Sequence, residues 1–165
     1  MSRNVFYSFH YKPDNWRASQ VRNAGVVEGN LPCSDNDWES ITGGGAAAIE
    51  KWIAGQMSGR SAAVVLVGNA TAGRKWINYE ISKAWTDGKG VVGVHIHNLQ
   101  NSQGSQATKG SNPFDGLTMG SGGAKMSTIV KCYDPPYATS TKVYEYVSNN
   151  LADWVEEAIK IRNNY

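Results

Sequence analysis

The chain is short of cysteine, with only Cys33 and Cys132 in 165 residues. Two cysteines do not make a disulfide framework, and they fit reduced thiols in a cytosolic protein. No apolar run approaches the roughly 18 residues of a membrane helix, so no membrane-spanning segment is expected. The formal charge is nearly balanced at +2 and there is no basic run, which argues against nucleic acid as the main partner. Met1-Ser2-Arg3-Asn4 leads straight into a β-rich run. No signal peptide is expected from that start, and a cytoplasmic location follows from the same reading. No internal repeat is visible.

Several site motifs are missing as well. A dinucleotide fold would carry G-x-G-x-x-G directly after its first strand. Here that position reads Ser8-Phe9-His10-Tyr11-Lys12, and Gly43-Gly44-Gly45 lies elsewhere. There is no Walker lysine loop, and Val67-Gly68-Asn69 lacks the aspartate of a phosphate-accepting receiver domain. The nucleophile elbow G-x-S-x-G is absent. His95 and His97 fall on one face of their strand, but no third ligand stands at a suitable spacing, so no metal site is expected.

What is present is an alternation of strands and helices. Val5–Phe9 reads as the first strand. Asp14 is expected to cap a helix over Trp16–Asn23, and Val26-Val27 is a stub of strand. Glu28–Trp38 is polar and loop-like. Ile49, Trp52, Ile53 and Met57 make an apolar face on a helix over Ala46–Met57. Ala62–Val67 is a strand buried on both faces. A helix containing Trp76 and Glu80 follows and ends near Gly88. Val91–His97 and Thr128–Tyr133 are the remaining strands, and a closing helix runs from Ser140 or Thr141 to about Arg162. The polar segment Asn98–Lys125 is long for a compact domain, and loops of that length are usually functional or mobile. The pattern predicts one α/β domain over residues 1–165, with right-handed crossovers and a parallel sheet covered on both faces. Ligands in such sheets bind outside the carboxyl ends of the strands.

The helix after Ala62–Val67 carries the most information. Ile77, Ile81, Ala84 and Trp85 form an apolar stripe at helical period. Trp76 and Glu80 stand four apart on its flank, placing a carboxylate beside an indole at the edge of a core. A site for a cationic sugar intermediate is one reading. An ordinary surface glutamate paired with Lys83 at i+3 is the other.

Val5-Phe6-Tyr7-Ser8-Phe9-His10 resembles the first-strand signature of TIR domains, and Trp76-x-x-Tyr79-Glu80-Ile81 is similar to their W-x-x-x-E-L helix motif. Asn15-Trp16-Arg17-Ala18, Ser34-Asp35-Asn36-Asp37-Trp38 and Gly88-Lys89-Gly90-Val91-Val92-Gly93 resemble, more narrowly, the TIR-like proteins of the Thoeris anti-phage system. The resemblance implies a flavodoxin-like three-layer fold with about five strands. It implies cleavage of NAD as substrate, with no separate cofactor, and Glu80 as the catalytic glutamate. The family product is typically a cyclic ADP-ribose isomer that activates a partner effector. Ser8 and Phe9 are expected to line the nucleotide channel, Trp76 and Tyr79 to face the substrate, and Asp37 to accept from an adenosine ribose hydroxyl. Glu80 either steadies an oxocarbenium-like ribose or holds its hydroxyls. Self-assembly into a homo-oligomer is compatible with this reading. The alternative is a TIR-like scaffold that signals by assembly alone. The chain shows no death, repeat or transmembrane segment to transmit such a signal, which favours a diffusible output.

Overall fold

The computed structural model describes residues 3–25, 27–29, 41–119 and 123–165. In chain order its elements are β1 (Asn4–Ser8), α1 (Tyr11–Asn23), β2 (Glu28–Gly29), α2 (Ala46–Met57), β3 (Ala62–Val67), α3 (Lys75–Thr86), β4 (Gly90–His95), a small hairpin of β5 (Thr118–Met119) and β6 (Ala124–Lys125), β7 (Cys132–Tyr133) and α4 (Ser140–Asn163). Five of the strands form one parallel sheet in the order β2-β1-β3-β4-β7. That is the doubly wound, flavodoxin-like order, with helices on both faces.

Alternation along the strands builds two cores. Val5, Val64, Leu66, Val92 and Val94 face α1 and α4, where Val21, Leu151 and Val155 meet them. Phe6, Ala63, Val65 and Val67 face α2 and α3, where Ile53, Met57, Ile77 and Ile81 cover them. Every residue of β3 and β4 is buried, as strands sandwiched between helix layers must be. Helix α2 and strand β3 occupy the ranges expected from their periodicity.

Three local expectations are corrected. Helix α1 begins at Tyr11, with His10 at its N-cap position, so Asp14 sits inside the first turn rather than capping it. Asp14 is buried and pairs with Arg17 Nη1 at 3.0 Å. The second strand is Glu28–Gly29, beyond Val26-Val27; Val26 lies outside the described residues. The expected strand over Thr128–Tyr133 is reduced to Cys132–Tyr133. A 3-10 turn at Met126–Thr128 precedes it, and Val130 N–H donates to Met126 C=O at 2.8 Å. Turning there buries both Met126 and Val130, which an extended run would place apart.

The polar segment after β4 is tied down. Arg17 donates from Nε to Leu99 C=O at 2.7 Å and from Nη2 to Ser105 C=O at 2.9 Å. Gln106 Nε2 donates to Asn98 C=O and to Ala138 C=O, at 2.7 and 2.6 Å. Further on, Gly110 lies against the exit of β3: a Cβ there would stand 2.2 Å from Gly68 C=O. This strap covers the carboxyl ends of β3 and β4 and leaves the rim beside β1 for a cavity.

Candidate active site

Helix α3 positions the candidate carboxylate. Ile77, Ile81 and Ala84 are buried as the stripe predicted, while Trp85 is only partly covered and holds Arg162 over its ring at 4.7 Å. Glu80 is turned inward, only 8% exposed. Lys83 does not reach back to it; its ammonium bonds Asp87 at 3.0 Å, four residues on. The surface ion-pair reading of Glu80 is therefore excluded.

Glu80 meets the end of β1. Ser8 Oγ donates to Glu80 Oε1 at 3.0 Å, and both residues are buried. Burial raises the pKa of the Glu80 carboxyl to about 8, and the Ser8 hydrogen bond opposes that rise only in part. Surrounded by protein alone, the group is thus mostly neutral at pH 7.

Glu80 lines a cavity of about 400 Å³. Phe6 and Phe9 from the first strand and its exit, Tyr11 from α1, Trp52 and Ile53 from α2 and Trp76 from α3 supply its apolar walls. His10, Lys12, Arg74 and Lys75 also border it, and among the described residues Glu80 is the one acidic side chain on that lining. His10 is held neutral by burial and by the nearby Arg74, both of which lower its pKa.

Of the residues expected from sequence, Phe9, Trp76 and Glu80 share this cavity. Ser8 lies behind it and touches Glu80 instead. Tyr79 is also off the lining; its ring meets Trp76 edge-on at 5.5 Å and backs the indole. Lys75 Nζ stands 5.0 Å from the Trp76 ring centre, a second support for that indole. Asp37 lies outside the described residues. Sequence reasoning missed Lys12, Trp52, Arg74 and Lys75. The helical spacing of Trp52 beside Ile49 and Ile53 reads as core packing. Arg74 and Lys75 carried a signal that was available: two cations at the amino end of a helix, where the dipole disfavours them.

The family model described as "Thoeris protein ThsB, TIR-like domain" matches residues 6–101, more than half of the chain. The chain belongs to this ThsB family. A protein of Bacillus cereus (strain MSX-D12) named "Putative cyclic ADP-D-ribose synthase ThsB1" is 34% identical over 128 residues. That likeness covers 71% of this chain, and the chain spans 64% of the relative's length. The ThsB match takes in the last three residues of β1 and all of α1 and α3, and with them every described residue that borders the cavity. Most of the strap beyond Gln100 lies outside it.

Proposed function

We propose that this chain cleaves NAD at the nicotinamide–ribose bond and closes the remaining nucleotide into a cyclic ADP-ribose isomer. The product would serve as a diffusible signal that activates a partner effector in anti-phage defence. The observation that carries the reading is Glu80, a buried carboxyl in an aromatic cavity at the rim of the sheet. Membership of the ThsB family and the printed name of the B. cereus relative support it.

The chemistry needs little more than that carboxyl. Glycosidases usually need a proton donor for the leaving oxygen and a second carboxylate. Nicotinamide leaves from a positively charged linkage, so no proton is required. What remains is to stabilise the ribose cation. A carboxylate ~4 Å from a unit positive charge gains about 4 kcal/mol at an effective dielectric of 20. Ionising a group of pKa about 8 at pH 7 costs about 1.4 kcal/mol. The attraction exceeds the cost, so the substrate's own charge draws Glu80 into its anionic form. The surplus of about 2.6 kcal/mol at pH 7, where it is realised in the transition state, is worth roughly eightyfold in rate, rising toward a thousandfold above pH 8 where the carboxyl is already ionised.

Ser8 holds one Glu80 oxygen, Phe9 and Trp76 face the substrate, and Tyr79 keeps Trp76 in place. Asp37 accepts from an adenosine ribose hydroxyl. The fate of the ribose carbon depends on which nucleophile reaches it. Water gives linear ADP-ribose. A hydroxyl of the same nucleotide, folded back in an apolar cavity, gains from its high effective concentration and gives a ring.

The test is chromatography of the products after incubation with NAD, for the purified protein and for phage-challenged cells expressing it. Nicotinamide and a dominant cyclic product are expected. Linear ADP-ribose alone would remove the cyclase half of the reading. Absence of nicotinamide in both settings would remove the enzyme and favour the scaffold.

A further inference from the structure

The cavity's charge is lopsided. Among the described residues, Lys12, Arg74 and Lys75 border it against a single carboxyl, and that carboxyl is buried and pushed toward its neutral form. Among the described residues, none of the three cations takes part in an ion pair. Their own structural contacts are slight. Arg74 Nε reaches Ala70 C=O at 3.0 Å on the surface, and Lys75 rests over Trp76. The terminal nitrogens of the Arg74 guanidinium have no hydrogen bond among the described residues.

Two helices begin at this cavity. His10 is the N-cap residue of α1 and Arg74 that of α3, and neither helix start has a side-chain cap. The first turn of α3 carries no acidic residue. A helix amino end is the positive end of the backbone dipole, so stability alone favours Asp or Glu there. Arg74 and Lys75 are the reverse of that preference. The two helix starts border the same cavity, and the Arg74 charge lowers the pKa of the His10 imidazole. Positive charge from two helix ends and three side chains therefore converges on one opening; Asp14 in the first turn of α1 is taken up by Arg17, and among the described residues no acidic side chain pairs with the three cations.

We propose that Lys12, Arg74 and Lys75 form a diphosphate-binding rim that makes the enzyme select a dinucleotide over a nucleoside. This rests on the NAD reading and adds to it a division of labour. The aromatic walls and Glu80 act on the nicotinamide riboside half. The rim takes the two phosphate charges, with Arg74 suited to a bidentate grip and Lys12 and Lys75 acting as point charges. Holding the diphosphate fixes the middle of the molecule, so that its adenosine half is retained within reach of the ribose carbon. The rim acts through binding: it holds a part of the substrate that does not react, and its loss appears in KM more than in kcat.

The test compares NAD with nicotinamide riboside, which carries the same scissile bond and no phosphate. Nicotinamide release is measured for the intact chain and for the variants Lys12→Gln and Arg74→Gln/Lys75→Gln. The ratio of kcat/KM on NAD to that on nicotinamide riboside is expected to fall about tenfold in the first and about a hundredfold in the second, mostly through KM. Equal losses on both substrates, or no loss on NAD, would overturn the proposal. Calorimetric binding of ADP-ribose separates this from failure of the NAD reading. If the intact chain releases no nicotinamide yet binds ADP-ribose, and the double variant binds it at least tenfold more weakly, the rim stands without the reaction. Equal or undetectable binding by both overturns the rim. Thermal melts guard against misfolding. Removing cations from a helix amino end should leave the melting temperature unchanged or higher, and a lower one would assign these residues a structural role.

Discussion

Ser8 Oγ donates a hydrogen bond to Glu80 Oε1 at 3.0 Å, joining the carboxyl end of β1 to the middle of α3. The two residues are 72 positions apart in the chain, and both are buried. The bond favours the ionised form of a carboxyl that burial pushes the other way. A hydrogen bond to a charged group contributes about 1.5–3 kcal/mol. Ser8→Ala is therefore expected to lower NAD turnover at pH 7 by roughly tenfold or more. Raising the pH to 9 or above should recover much of the loss, because the carboxyl then ionises without help. Equal loss at every pH in steady-state assays would mean that Ser8 only packs.

The pH dependence of the intact protein should carry the same signature. In the proposed reaction the active form is the carboxylate, and the free protein's carboxyl has a pKa of about 8. kcat/KM reports the free enzyme, so it should rise about tenfold per unit up to about pH 8 and level off above it. The limb in kcat should lie at lower pH, because the bound nicotinamide cation favours ionisation. Rate profiles with NAD check both. A kcat/KM limb near 4.5, the ordinary value for Glu, would show that burial does not govern this group.

Glu80 should also cost the fold stability at alkaline pH. Its folded pKa is raised above the unfolded value of 4.5 to about 8. The folded state thus holds the proton more tightly, and the resulting stability is complete below pH 4.5 and lost as pH rises through 8. Glu80→Gln has no such loss. Urea unfolding should find the variant more stable than the parent by a few kcal/mol at pH 9, with the gap closing toward pH 4. A pH-independent difference would contradict the assigned burial.

Arg17 is the latch of the strap. It pairs with buried Asp14 and donates to the Leu99 and Ser105 carbonyls. Removing one partner of a buried pair leaves an uncompensated charge, which costs about 3–5 kcal/mol. Arg17→Ala should lose that much in denaturant unfolding and should speed amide exchange over residues 99–105. Replacing both residues, Asp14→Asn with Arg17→Met, should cost clearly less. Equal cost for the single and double changes would mean that the strap bonds, not the buried charge, dominate.

The sheet was legible because its code is local. Six buried residues at Ala62–Val67 and the stripe Ile77, Ile81, Ala84 follow from period alone. The ends were less legible. Asp14 reads as an N-cap, but it is drawn inward by Arg17, and Arg17 is itself fixed by carbonyls more than eighty residues away. The 3-10 turn at Met126–Thr128 answers to burial of Met126 and Val130, which no window of β propensity contains. At the site, motif and spacing point to Glu80, Phe9 and Trp76, and the structure brings the three to one cavity. The ionisation state of Glu80 does not follow from them, since desolvation depends on what α2, α3 and β1 enclose together. Ser8 was expected on the channel wall and instead stands behind the carboxyl. One residue of strand phase separates those roles, and only the packing decides between them.

The most direct test of the account is nicotinamide release from NAD by the parent chain and by Glu80→Gln at pH 8.5, with circular dichroism confirming that both are folded. The account predicts a loss of about a thousandfold in the variant, the rate equivalent of one carboxylate beside a ribose cation. Release by folded Glu80→Gln at the parent's rate would contradict it.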